Sequence, residues 1–278
     1  THTDSSAASD VYKRQTHPKG SSRNDKEKNC NEEWGDHNCN SHSLRVGFIN
    51  IQTFPTHIGH HKNNNIIKLF HDYHLSVLGL AEINLFWPSL PHDQQMSERT
   101  RRWFEHTKSF TSCNMKNTHM KDQRGGTATI LRDKIVHTSY GCRSDHLGRW
   151  TTMTFRGRDG HNFHTITAYR PQPNTNPYGV YQQLLQYNNE QSLDEDPITT
   201  YDKQLCVFIK SLITKGDQLL LMIDANEDLS NTSSKSFTAT MAAMGLNESI
   251  LSRHPQLSIP ATRTPGKNQL TQYSAAHQ

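Results

Sequence analysis

The sequence is short of apolar residues. They make up 32% of its 278 positions, below the roughly 45–50% of average globular domains by a count that also includes glycine, so part of the chain is expected to lie outside any core. Leucine, isoleucine, methionine and phenylalanine are all missing from Thr1 to Ser43. That stretch has little to bury against the entropy of ordering and reads as a disordered tail. Long hydrophobic runs are missing too: Leu219 to Ile223 is typical of the longest, against the roughly 20 residues a membrane span needs, so no membrane partner is expected. No charged start followed by an apolar stretch marks a secretory signal, and five cysteines at irregular spacing make no disulfide scaffold. A reducing, intracellular setting is expected. A large excess of one charge is also absent. With 30 Lys/Arg against 26 Asp/Glu, for a net charge of +4, any nucleic-acid role must rest on a local patch.

What is present begins at Leu44. In the tail, basic residues are offset by acids, which argues against a nucleic-acid-binding arm, and Ser5 to Gln15 reads like an in-frame translation of a sequencing adapter. Leu44, Val46, Phe48 and Ile49 then form a short apolar run ending in Asn50, the pattern of a buried strand. Ile66, Ile67, Leu69, Phe70 and Tyr73 recur at helical spacing. Leu75 to Ala81 is a second strand, closed by Glu82, and Trp87-Pro88 opens a polar loop. Thr127 to Leu131, Trp150 to Phe155, Phe163 to Tyr169 and Leu219 to Asp224 read as strands; Tyr178 to Gln191, Tyr201 to Lys215 and Phe237 to Met244 read as helices. Strands and helices mixed in this way predict one α/β domain of packed sheets over 44–278.

Three polar residues stand where apolar strands end: Asn50, Glu82 and Asp224. A strand end is a rigid mount at the edge of a loop-lined cleft, although acids and amides also simply terminate strands. Asp224 is followed by Asn226, and Glu82 adds a second hard oxygen ligand. Few fixed carboxylates with oxygen donors suit Mg²⁺, which keeps waters and binds through a substrate phosphate. The chemistry implied is phosphoryl transfer or hydrolysis.

Val46-Gly47-Phe48-Ile49-Asn50, Val77-Leu78-Gly79-Leu80-Ala81-Glu82, Arg124-Gly125-Gly126-Thr127-Ala128, Gly148-Arg149, Thr167-Ala168-Tyr169-Arg170-Pro171 and Met222-Ile223-Asp224-Ala225-Asn226 follow one another along the chain. Their order and approximate spacing resemble the endonuclease/exonuclease/phosphatase superfamily. The likeness is nearest in flavour to the apurinic-endonuclease-like domain of non-LTR retrotransposons, with which a late Pro260-Ala261-Thr262-Arg263 segment also agrees.

The resemblance implies a four-layer sandwich of two mixed β-sheets flanked by helices, like pancreatic deoxyribonuclease, acting on DNA with Mg²⁺ or Mn²⁺, as a monomer, in the nucleus if the source is a eukaryotic retroelement. It implies Glu82 as the metal-binding carboxylate, joined by Asn50. Asn50 and Asn226 hold the scissile phosphate or the attacking water, Asp224 orients or deprotonates that water, and Tyr169 hydrogen-bonds the phosphate. Two other readings stay open, because fold alone does not select a substrate: a phosphatase or phosphodiesterase of inositol phosphates or sphingolipids, and a catalytically dead module that binds nucleic acid.

The sequence also departs from the family. Gln52 stands where the family has an Asp, and Thr271-Gln272-Tyr273 stands where it closes on an Ile-Asp-Tyr strand and an Asp-His pair. The expectation is a domain truncated at its C-terminus, with that strand and the pair lost and the chain inactive as it stands; neither His254 nor His277 follows an Asp to replace the pair. Cys30, His37, Cys39 and His42 match no zinc-finger spacing, and His57, His60 and His61 read as a solvated loop. Between Glu98 and Lys134, nine Lys/Arg face four acids, with Trp103 and Phe104 among them. Arg99, Arg101, Arg102 and Arg124 are the candidate DNA contacts, with the aromatics either stacking on bases or pointing into the core.

Overall fold

The computed structural model describes residues 44–116, 123–157, 160–228, 233, 236–249 and 270–276, the last segment as backbone. The expected tail over 1–43, its Cys30–His42 cluster, His254 and His277 lie outside the described residues.

Among the described residues, nine strands form two sheets. The first has the order β1-β2-β4-β3: β1 (Val46–Asn50) runs parallel to β2 (Val77–Ala81), while β4 (Thr127–Arg132) and the edge strand β3 (Thr107–Ser112) complete it antiparallel. The second has the order β5-β6-β7-β8-β9, from β5 (Ser139–Ser144), β6 (Trp150–Arg156), β7 (Asn162–Tyr169), β8 (Gln218–Asp228) and β9 (Leu270–Ala276). Both sheets are mixed, since β1–β2 and β7–β8 are parallel and the other pairs antiparallel. Helices α1 (His61–Asp72) and α2 (Met96–Trp103) belong to the first half, α3 (Ile135–Thr138) is a single turn before β5, and α4 (Val180–Glu190), α5 (Pro197–Ile213) and α6 (Phe237–Ala243) serve the second half.

Hydrophobic patterning explains the layers. Every residue of β2 is buried, as a strand covered on both faces requires. One face of the first sheet packs with Ile66 and Phe70 of α1 and Met96 of α2; one face of the second packs with Leu184 of α4, with Tyr201, Leu205 and Ile209 of α5, and with Phe237 and Met241 of α6. Between the sheets lie Val77, Leu131, Met153, Phe155 and Met222. Threonines join them there, with Thr129 Oγ1 2.8 Å from Thr167 Oγ1 and 3.2 Å from Thr151 Oγ1. Gly79 lets the sheets approach, since a Cβ there would lie 2.8 Å from Thr167 Oγ1. The expected four-layer sandwich is therefore the observed one.

One expectation changes. The last strand is not lost: the backbone of Leu270–Ala276 pairs antiparallel with β8, Gln272 opposite Asp224. An amide thus occupies the register position beside the aspartate. Strands β3 and β5 and helix α2 have no apolar signature, because β3 and β5 lie at sheet edges and alternate Ser, Thr, Gly, Lys and Arg with single apolar residues. Edge strands are half solvated and need little else.

A buried polar staple ties the ends of β6, β7 and β8 together. His164 Nε2 lies 2.9 Å from Asp217 Oδ2, its Nδ1 3.1 Å from Thr154 Oγ1, and the Asn162 backbone N–H donates to Asp217 Oδ1 at 3.0 Å. Burial pushes the Asp217 carboxyl up, but the hydrogen bonds from His164 and Asn162 outweigh it and hold the group below its ordinary value. A depressed carboxyl contributes stability that is complete above its unfolded value near about 4 and is lost as pH falls through the folded value. In urea titrations, Asp217→Asn is expected to lower the midpoint most above pH ~5, the gap from wild type closing below pH ~4. A gap independent of pH would contradict this.

Candidate active site

The sheets bring their strand ends together on one side. Asn50 ends β1, Glu82 follows β2, Tyr169 ends β7, and Asp224 and Asn226 lie on β8. All five residues read as catalytic or metal-binding candidates from strand-end position or resemblance, Asn50 having been named for both roles, thus lie where the two sheets meet.

Hydrogen bonds fix the carboxylate of Asp224. Asn50 Nδ2 donates to its Oδ2 at 2.7 Å, and the Asn226 backbone N–H donates to its Oδ1 at 3.2 Å. The Asn50 amide is turned by its other end, where Oδ1 accepts the Gln52 N–H at 3.0 Å. Asn226 is held as firmly: its Nδ2 donates to the Arg170 carbonyl at 2.6 Å and its Oδ1 accepts from Gln172 Nε2 at 2.6 Å. Arg170 in turn forms a two-pronged pair with Asp202, 2.8 Å on each arm, and donates to the Ala225 carbonyl at 3.3 Å. The loops after β7 and β8 are thereby riveted to α5.

Tyr169 joins the two halves of the site. Burial, the charge of Glu82, a hydrogen bond with Glu82 and the charge of Asp224 all push its phenol far above the ordinary tyrosine value. It stays protonated and serves as a hydrogen-bond donor. Its backbone N–H donates to the Arg149 carbonyl at 3.0 Å, which sets its height against β6.

The backbone here is unusual. Gln52, Thr53, Glu82, Asn84 and Asn226 all have positive φ, between 46° and 82°. Such conformations cost on the order of 1–3 kcal/mol each outside glycine and persist only where surrounding contacts over-determine them. Asn84 supplies several such contacts: its Nδ2 donates to Thr53 Oγ1 at 2.8 Å, its Oδ1 accepts the Gly125 N–H at 2.7 Å, and its N–H donates to the Gly125 carbonyl at 2.6 Å. Gly125 itself sits at φ +88°, with Val180 where a Cβ would be. Asn84, Gln172 and Asp202 escape a reading from sequence; the signal was an amide inside the apolar Ile83 to Trp87 run.

Glu82 is half-buried and forms no ion pair with any described residue; its assigned partner is the Tyr169 hydroxyl. No group of three or more His, Cys, Asp or Glu suited to a metal occurs among the described residues. Glu82, Asp224 and the Asn50 amide oxygen offer an oxygen-only donor set with few carboxylates. Mg²⁺ fits such a set, since it typically takes one or two carboxylates and completes its shell with water and substrate oxygens.

The basic patch is corrected in part. Arg99 is not a DNA contact: it is 1% exposed, its Nη1 donates to the Pro55 carbonyl at 2.6 Å, its Nη2 to that of Thr56 and its Nε to that of Gln94 at 3.0 Å. A guanidinium consumed by three carbonyls clamps the loop after β1 and has no donor fork left for phosphate. Phe104 is buried and Trp103 packs against the same core, so neither stacks on bases. Arg101 is exposed and paired with Glu98 at 2.6 Å; Arg102 and Arg124 are exposed. Of the three histidines read as loop, His61 opens α1, while His60 precedes it and caps it, its Nδ1 accepting the Lys62 N–H at 3.2 Å with His61 stacked on it at 4.2 Å. Cys113, Cys142 and Cys206 are free thiols.

Neither a protein-family model nor a curated protein sequence matches the chain. Solved structures do. The AP endonuclease LMAP from Leishmania major is similar at TM-score 0.59 and 13% identity, over 84% of this chain and 79% of that one. The APE2 catalytic domain of Xenopus laevis gives 0.56 at 10% identity, over 84% and 82%. The 3′ phosphatase NExo from Neisseria, bound to a product DNA hairpin, gives 0.55 at 12% identity, over 84% and 87%. The chain has the endonuclease/exonuclease/phosphatase fold. No helix among the described residues is long and apolar enough to cross a membrane.

Proposed function

We propose that this protein is a divalent-metal-dependent phosphodiesterase that hydrolyses DNA backbones, of the retroelement endonuclease type that its sequence resembles. The observation that carries the reading is the 2.7 Å hydrogen bond that orients Asp224 from Asn50, at the joint end of two sheets where Tyr169 and Glu82 also hydrogen-bond to each other. Phosphate hydrolysis requires a placed water and neutralised charge more than covalent catalysis. Asp224, its carboxylate fixed from both sides, orients the attacking water and accepts its proton. The Tyr169 hydroxyl, which is hydrogen-bonded to Glu82, would turn to a phosphate oxygen, and the Asn226 amide would offer it a second neutral donor. Glu82 would hold Mg²⁺ or Mn²⁺, assisted by the second lone pair of Asn50 Oδ1. When bound, that cation supplies positive charge against the phosphate. The related structures support DNA as the substrate, two being named AP endonuclease or APE2 and one being bound to DNA.

A metal that binds only the native state stabilises it by mass action. Mg²⁺ or Mn²⁺ is expected to raise the melting temperature, and Glu82→Gln to remove most of that shift while leaving the metal-free value nearly unchanged. A full shift in the variant takes Glu82 out of the site. Metal-dependent nicking of supercoiled plasmid tests the activity. Release of inorganic phosphate from a soluble inositol phosphate, with plasmid left intact, would instead favour the phosphatase reading.

A further inference from the structure

Beside the site, three loops meet at one carboxamide. Gln183, in the first turn of α4, accepts Asn114 Nδ2 on its Oε1 at 2.8 Å, while its Nε2 donates to the Arg124 carbonyl at 3.1 Å and to the Tyr178 carbonyl at 3.0 Å. Asn114 is fixed in turn, its N–H and carbonyl paired with Gln123 at 2.7 and 2.6 Å. The loop bearing Tyr178 is tied down along its length: the Tyr178 N–H donates to Asn176 Oδ1 at 3.0 Å, Gln182 Nε2 to the Asn174 carbonyl at 2.7 Å, and Asn174 Nδ2 to the Gln172 carbonyl at 2.9 Å. Gln172 is the residue that holds Asn226, so the loop runs directly out of the catalytic cluster.

On this rigid base Tyr178 is 52% exposed. Arg124 is exposed next to it and forms no ion pair with any described residue. The hydrogen bonds on either side of Tyr178 hold its backbone in place, so the exposed ring keeps a fixed station at the rim. An aromatic face with a free guanidinium suits a nucleotide, whose base stacks while its phosphate takes the charge.

We propose that Tyr178 and Arg124 form a nucleotide-gripping ledge beside the scissile phosphate, with Tyr178 stacking on a base, Arg124 contacting the neighbouring phosphate, and Gln183 as the positioning residue that sets the two side by side. The proposal rests on the DNA reading above. It takes the 171–179 loop as the substrate's second anchor, outside the cluster that does the chemistry.

The test is the affinity of the full chain for a short fluorescein-labelled duplex, read by anisotropy in Ca²⁺ across a salt series. Tyr178→Ala is expected to weaken binding about tenfold or more with the salt slope unchanged, and Tyr178→Phe to bind within about twofold of wild type, since stacking needs the ring and not the hydroxyl. Arg124→Ala is expected to reduce the salt slope by roughly 0.9, one phosphate contact. Gln183→Met is expected to show both losses together with a fall in melting temperature of only a few degrees, and combined with Tyr178→Ala to bind no more than about twofold below Tyr178→Ala at high salt, as members of one unit do. Wild type binding of which Tyr178→Ala loses nothing overturns the ledge and leaves the DNA reading standing. Wild type that binds no duplex at all overturns both.

Discussion

Replacing Asp224 by Asn is expected to lower the rate of plasmid nicking by about 10²–10⁴, the range in which a positioned general base contributes. The substitution keeps the side chain's shape and the acceptor for Asn50 Nδ2 while removing the charge, so the loss falls on kcat rather than on DNA affinity. Asn50→Ala leaves the carboxylate in place but releases its 2.7 Å partner. It is expected to cost less, about tenfold to a hundredfold, because the carboxylate can still find the productive orientation part of the time. Melting temperatures close to wild type in both variants would assign the losses to chemistry. Nicking by Asp224→Asn at the wild-type rate would show that another group takes the proton, and Glu82 would be the next to test.

The second large effect is on stability. Asp145 and Arg149 form a buried pair at 2.6 and 2.9 Å, with side chains 4% and 1% exposed. Asp145 Oδ2 also accepts the Leu147 and Arg149 N–H groups, and the Asp145 carbonyl accepts Ser112 Oγ at 3.2 Å from the first sheet. Gly148 completes the turn at φ +76°, where a Cβ would come within 2.6 Å of the Cys113 carbonyl carbon. Removing one partner of such a pair leaves an uncompensated buried charge and costs about 3–5 kcal/mol. Arg149→Ala is thus expected to lower the melting temperature by roughly 10 °C, taking about 2–4 °C per kcal/mol for a domain of this size. Replacing both partners, Asp145→Asn with Arg149→Met, should recover part of the loss, because it leaves no charge stranded and keeps an acceptor for the Leu147 and Arg149 N–H groups. Since the Arg149 carbonyl accepts the Tyr169 N–H, Arg149→Ala should also cost activity at temperatures where the chain is still folded. A melting temperature unchanged by Arg149→Ala would contradict the assignment.

The positions of the candidate residues were legible because the ends of apolar runs are legible. Apolar runs closing on Asn50 and Glu82 mark where buried strands end, whereas Asp224 closes an apolar run inside β8, which continues to Asp228 with Asp224 still buried. The second layer of contacts was not. Gln172, Asp202 and Asn84 are ordinary polar residues in loops or on a helix, and each acquires a role only because folding puts it 2.6–2.8 Å from a partner between 31 and 54 positions away.

By itself, the sequence determined the layered α/β class, the ordered series of buried strands and the identity of the residues at their ends, because burial of apolar runs is a local property written in composition and spacing. Only the tertiary structure decided what the charged and neutral polar residues do. A run of arginines reads as a basic patch, yet Arg99 turns inward onto three carbonyls while Arg124 stays in water. Likewise, Leu270–Ala276 has the weak pattern of a polar segment and becomes the fifth strand of a sheet because β8 offers it a free edge. Hydrogen-bonding and ionic roles depend on partners brought close across long stretches of chain, and no local pattern encodes those distances.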